Sequence, residues 1–197
     1  MSTDSPVVEP RMVLPPVTLV LGGIRSGKSR FAESLLEALP HRLYVATGEG
    51  LDDEMRARIK AHQQRRGDQW ATIETPLDLV SALRKHASPQ KAVLVDCLSL
   101  WVSNLMMAER MLDDEIAMLV QSLPALGGPV VFVSTEVGLG GISMNQMARR
   151  YADVLGTLNQ AVGTQAQRVY CVMAGIAMLM KNEETANDAN QMTVRQT

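Results

Sequence analysis

Residues 17–29 read VTLVLGGIRSGKS, and this stretch limits the fold more than any other in the chain. Five residues suited to a buried strand run straight into Gly22, four residues, then Gly27, Lys28 and Ser29, the pattern of a phosphate-binding loop without a mismatch. Such a loop turns consecutive backbone N–H groups onto phosphate oxygens, and glycine permits both the backbone angles and the close approach. The spacing predicts a helix from about Lys28 to Leu39, whose amino terminus adds positive potential. Gly22, Gly23, Ile24, Arg25, Ser26, Gly27, Lys28 and Ser29 are therefore the expected nucleotide-binding residues. Lys28 is expected to reach the β- and γ-phosphates, and Ser29 to offer its hydroxyl to Mg²⁺. The chain is read as binding a nucleoside triphosphate.

The rest of the sequence continues the alternation. Strand runs are expected at 42–47 (RLYVAT), 70–74 (WATIE), 91–96 (KAVLVD), 129–135 (PVVFVST) and 168–173 (RVYCVM), the last strand. Helical patterns fall at 77–86, 98–107, 113–123 and 145–165. KAVLVD is a near-continuous apolar run, as expected for a strand buried on both faces. Alternation of this kind argues for an α/β fold, a mainly parallel sheet with helices on both faces, of the P-loop NTPase (RecA-like) kind. Ligands in such sheets bind at the carboxyl ends of the strands. There Asp96 is a candidate for holding Mg²⁺ or for capping the next helix. Thr47 and Gly48 are placed to line the nucleotide, and Glu136 to act as a base or a support.

Composition removes other classes. The 197 residues suit one domain, expected over 17–181, with a proline-bearing arm at 1–16 and a polar tail at 182–197. A net charge of −2 gives no bulk attraction to nucleic acid. No apolar run approaches a membrane span, and no signal core precedes the first strand, so a cytoplasmic location is expected. Cys97 and Cys171 sit in or beside strand runs and are read as buried free thiols. No guanine-reading Asn-Lys-x-Asp is present, which excludes a regulatory GTPase and favours a small-molecule kinase or transferase.

One histidine stands out. In DDEMRARIKAHQQRRG, residues 52–67, Met55, Ile59 and His62 share one face of a charged helix, so His62 points where the apolar residues point. A packed or rim histidine is the plain reading of that position taken alone. Asp52, Asp53 and Glu54 suit the helix start, and Arg65 and Arg66 its end. His41 and His86 are expected at the surface.

The ordered series GGIRSGKS, YVATGEGLDDEMRARIKAH, W-x-T-x-E-x-P-x-D-L, VLVDCLSLWVSNL, STEVGLGG and N-x-x-A-R-x-Y-x-D-x-x-G-x-x-N-Q resembles one family over roughly 17–180. It is the bifunctional adenosylcobinamide kinase and adenosylcobinamide-phosphate guanylyltransferase of cobalamin biosynthesis. The resemblance implies phosphorylation of adenosylcobinamide by ATP or GTP. GMP then passes from GTP to adenosylcobinamide phosphate through a guanylyl-histidine, which by motif position is His62. It further implies that Ala46, Gln63, Arg65, Arg66 and Glu74 touch the nucleotide, that Mg²⁺ accompanies it, and that the enzyme is a homotrimer. Where the family commonly carries a proline before Asn145, this chain has Met144. Because one loop would serve attack at both the α- and the γ-phosphorus, the His62 helix is expected to move between glycines at 48–50 and Gly67. A kinase that leaves His62 structural and a non-catalytic nucleotide sensor remain the alternatives.

Overall fold

The computed structural model describes residues 14–48, 69–141 and 143–183. The expected segment with His62, Gln63, Arg65 and Arg66 lies outside the described residues. In chain order the elements are β1 (Val17–Gly22), α1 (Lys28–Ser34), β2 (Arg42–Ala46), β3 (Trp70–Glu74), α2 (Leu79–His86) and β4 (Ala92–Asp96). There follow α3 (Leu98–Met107), α4 (Leu112–Ser122), β5 (Val130–Thr135), α5 (Gln146–Gln165), β6 (Arg168–Met173) and β7 (Ile176–Asn182).

The strands make one seven-stranded sheet in the order β3-β2-β4-β5-β1-β6-β7. β1 to β6 run parallel, and β7 returns antiparallel to β6. Alternate residues of the central strands feed two cores, as the period of two requires. Leu19, Val45, Val95 and Phe132 pack on one face with Leu83, Trp101, Leu119, Leu155 and Val162 of α2 to α5. Val20, Tyr44, Leu94 and Val133 pack on the other with Ala32 and Leu36 of the α1 segment. Burial of each such large side chain contributes about 1.5–3 kcal/mol, which is why the central runs carry so few polar residues.

Three expectations are corrected. The strand at 168–173 is not the last: Ala174 and Gly175, at φ 51° and 80°, form a two-residue hairpin into β7. That turn requires left-handed backbone at both positions, and alanine there lacks the Asn-Gly signature. The first helix is shorter than expected. After Ser34 the chain tightens to three-residue hydrogen bonds (Leu36 N–H to Glu33 O, 3.0 Å; Leu39 N–H to Leu36 O, 3.0 Å) ahead of Pro40. Cys171, on β6, is half-buried rather than buried, although both thiols are free. β7 runs to Asn182, and Glu183 N–H bonds Gln167 O at 2.7 Å.

Candidate active site

The carboxyl ends of the strands gather the expected residues at one edge. In register, Gly22 pairs with Thr135 of β5 and Val172 of β6, while Ala46 pairs with both Asp96 and Glu74. The phosphate-binding loop leaves β1 in the middle of this edge. Gly22 is required there, because a Cβ would lie 2.5 Å from both Ser26 Oγ and the Val172 carbonyl. Gly27 caps α1 at φ 94°, a left-handed conformation open to glycine. Ile24 is 79% exposed at the tip, and Arg25 beside it is exposed with φ 57°. Ser26 turns its hydroxyl inward, where it is buried without a hydrogen bond, and its N–H donates to Gly23 O at 3.2 Å.

Two neighbours hold the loop from outside. Glu136 N–H donates to Gly22 O at 3.2 Å, and Gly175 N–H, from the β6–β7 hairpin, donates to Ser26 O at 2.9 Å. Lys28 Nζ donates to Gly23 O at 3.1 Å, folding the ammonium back over its own loop. Ser29, in the first turn of α1, is half-buried.

Asp96 ends β4, with β5 between it and the loop strand. Its Oδ2 accepts from Tyr44 OH at 3.0 Å. Asp96 does not cap the next helix: Cys97 does, and makes no side-chain capping bond. The adjoining thiol of Cys97 registers the charges around it. Burial, then the Asp96 carboxylate, push it up to about 11 from 9.0, while Ser99, the Leu100 N–H and Lys28 pull the other way.

Thr47 follows β2 at this edge. It is fully buried, and its Oγ1 both donates to Cys97 O (2.7 Å) and accepts from Cys97 N–H (2.8 Å). The hydroxyl thus joins the ends of β2 and β4. Gly48 follows at the same edge. Glu74, exposed, ends β3, and Thr75 N–H bonds Ala46 O at 2.8 Å. His41 is exposed and His86 half-buried. Burial and the neighbouring Lys85 and Lys91 hold the His86 imidazole below its usual range.

A group of supporting residues was not found from the sequence. Asn104 Nδ2 donates to Thr47 O (2.7 Å) and Pro76 O (3.2 Å), and Trp101 Nε1 donates to Leu77 O (2.8 Å). Ser99 Oγ bonds Cys97 Sγ (2.9 Å) and Thr135 Oγ1 (3.0 Å). From α5, Tyr151 OH donates to Ser99 O (3.1 Å) and Asn159 Nδ2 to Thr135 O (3.2 Å). The available signal was polar residues on otherwise apolar helical faces, as with Asn104 in LSLWVSNLMM.

The carboxyl edge of the sheet thus carries backbone donors, an ammonium, a hydroxyl and a carboxylate, the chemistry of a metal–triphosphate site. Among solved structures, an ATPase from the type III secretion system of pathogenic bacteria superposes with a TM-score of 0.51 at 10% identity, covering 90% of this chain and 61% of that one; it shares the fold. The bifunctional adenosylcobalamin biosynthesis protein CobP of Pseudomonas aeruginosa is 42% identical over 168 residues, 84% of this chain and 97% of that protein. CobU of Salmonella typhimurium, of the same description, is 38% identical over 178 residues, 83% of this chain and 98% of that protein. The model of the cobinamide kinase / cobinamide phosphate guanyltransferase family matches residues 18–180, and the chain belongs to that family.

Proposed function

We propose that this edge carries out both reactions named for the family: phosphorylation of adenosylcobinamide by ATP or GTP, then transfer of GMP from GTP to the new phosphate. The observation that carries the reading is the loop of residues 22–29, with Lys28 and Asp96 at one sheet edge, inside a chain matched by the family over 18–180.

In the first reaction the loop's backbone N–H groups hold the triphosphate, and Lys28 exchanges the Gly23 carbonyl for β- and γ-phosphate oxygens. Glu136, tied to the loop by its own N–H, is the carboxylate for the acceptor's proton. The acceptor oxygen bonds the γ-phosphorus, the bond to the β-bridging oxygen breaks, and the nucleoside diphosphate departs. Ser29 Oγ and the Asp96 carboxylate supply the hard oxygen donors that suit Mg²⁺, which keeps the rest of its shell as water and phosphate. When bound, the ion neutralises charge on the β- and γ-oxygens.

In the second reaction His62 is the nucleophile. Its neutral imidazole nitrogen bonds the α-phosphorus of GTP, pyrophosphate leaves, and the N–P bond of the guanylyl-histidine is then broken by attack of the corrinoid phosphate. Gln63, Arg65, Arg66 and Glu74 are assigned to the nucleotide by their motif positions, arginine suiting phosphate charge. The enzyme is assigned to the cytoplasm, and no described helix is long and apolar enough to cross a membrane. It is assigned as a homotrimer. Ile176, Leu179 and Met180 lie more than half exposed on edge strand β7, which supports a contact between copies.

The test is intact-protein mass spectrometry after incubation with GTP and Mg²⁺. An acid-labile gain of one GMP on wild type, and none on His62→Ala, is expected. No adduct on wild type would reduce the protein to a kinase.

A further inference from the structure

The acceptor in these reactions is a bulky macrocycle, and the edge beside the phosphate loop carries an apolar shelf without an assigned role. β5 ends at Thr135, Glu136 bonds Gly22, and the chain then passes through a short 3₁₀ turn (Gly138–Gly140) before α5. Leu139, Met144 and Met147 are 81%, 96% and 71% exposed. Large apolar side chains this open, gathered within nine residues and continuous with a catalytic edge, mark a binding surface more often than chance exposure.

The shelf is built, not a loose turn. Arg149 Nη1 donates to both Ser143 O and Met144 O at 2.9 Å. Asn145 Oδ1 caps α5 by accepting from Ala148 N–H at 3.1 Å, and Asn145 N–H donates to Ser143 Oγ at 3.2 Å. These bonds hold Met144 outward while its backbone stays ordered. Along α5, Met147 heads a stripe continued at four-residue steps by Tyr151 and Leu155, which pack into the body of the protein. Tyr151 reaches down to Ser99 O, two residues past Cys97 and its neighbour Asp96. The five residues before Tyr151 carry the same face about 7 Å further, beyond the sheet edge. An exposed apolar helix face at the same sheet edge as a phosphate loop suits a flat ligand lying beside that loop.

We propose that the β5–α5 shelf, through Met144 and Met147 with Leu139 at its rim, is the corrinoid subsite. It would receive an apolar face of the macrocycle while the aminopropanol arm hangs toward Glu136 and the γ-phosphate. Methionine fits that task, since its flexible thioether moulds to an irregular surface. This inference rests on the reading of the acceptor given above.

The experiment compares wild type, Met147→Glu, Met144→Glu and the conservative Met147→Leu in the full chain. Four quantities are read: kinase KM for cobinamide, KM for GTP, the GMP adduct formed without corrinoid, and mass by light scattering. Each glutamate variant is expected to raise the cobinamide KM by about tenfold or more, with the GTP KM, the adduct and the mass unchanged. Met147→Leu should stay close to wild type. An unchanged cobinamide KM in both glutamate variants would overturn the subsite, as would a fall in mass, which would assign the shelf to a contact between copies. A wild type that forms the GMP adduct yet does not phosphorylate cobinamide would overturn the acceptor reading itself, and the subsite with it.

Discussion

Thr47→Val tests whether this residue serves the nucleotide or the framework. The hydroxyl meets both backbone groups of Cys97, at 2.7 and 2.8 Å, in a fully buried position. Valine keeps the shape and leaves the Cys97 N–H without a partner, while Cys97 O keeps its bond from Trp101 N–H at 3.1 Å. An unsatisfied buried group costs about 1–3 kcal/mol, and the added methyl returns under about 1 kcal/mol. A net loss of about 1–3 kcal/mol is expected, or a fall in Tm of roughly 2–10 °C for a domain of this size. Thr47→Ser, which keeps the hydroxyl and loses one methyl, should cost only about 1 kcal/mol. Urea unfolding followed by tryptophan fluorescence suits the measurement, because Trp101 is fully buried beside Asn104, which itself bonds Thr47 O. GTP affinity of the folded variant should stay within about twofold of wild type, a difference below 0.5 kcal/mol. A variant as stable as wild type with sharply weaker GTP binding would refute the reasoning and return Thr47 to the nucleotide.

Two other changes separate chemistry from framework. Glu136→Gln keeps an acceptor for the Gly138 N–H, bonded at 2.8 Å in the native protein, but cannot take a proton. The kinase kcat should fall about 10²-fold or more with an unaltered KM for GTP, and an unchanged kcat would exclude Glu136 as the base. The Cys97 thiol, raised to about 11, should resist alkylation of the native protein at pH 8 while half-buried Cys171 reacts, and both should react in denaturant. Because its folded value lies above the unfolded 9.0, its contribution to stability is present below about pH 9 and lost as pH rises through about 11. The urea midpoint should therefore fall between pH 8 and 10.5, less so for Cys97→Ala, and equal native labelling of both thiols would contradict this placement.

What the sequence showed well was what local pattern controls. β1, β4 and β5 are continuous apolar runs buried on both faces, and GGIRSGKS constrains its own backbone through Gly22 and Gly27. β7 was missed because its residues lie on a half-covered edge, where alternation is weak, and because Ala-Gly is a poor advertisement for a hairpin. The hydrogen bonds of the Thr47 side chain were not legible for a different reason. A strand-end residue faces the ligand or the neighbouring strand according to where the next chain crosses, and here Cys97 crosses 50 residues later. The roles of Asn104, Tyr151 and Asn159, which stand in the quoted motifs, went unread on the same ground: each serves a backbone carbonyl 24 to 57 residues away.

The same long-range bonds bear on how one site would run two reactions. The donor cradle is fixed from several sides: Glu136 on Gly22, Gly175 on Ser26, and Thr47 with Asn104 behind Asp96. A cradle so held has little room to present the γ-phosphorus at one time and the α-phosphorus at another by rearranging itself. The choice of phosphorus then falls to the nucleophile. On the proposed reading the acceptor hydroxyl would arrive from the β5–α5 side, where Glu136 follows Thr135, the partner of Gly22. His62 belongs to the connection that leaves the sheet at β2, on the far side of β4 and β5 from β1. On this argument, changes at Glu136 or on the shelf should impair phosphorylation and spare guanylylation of His62, while a change at Lys28, which both reactions share, should impair the two together.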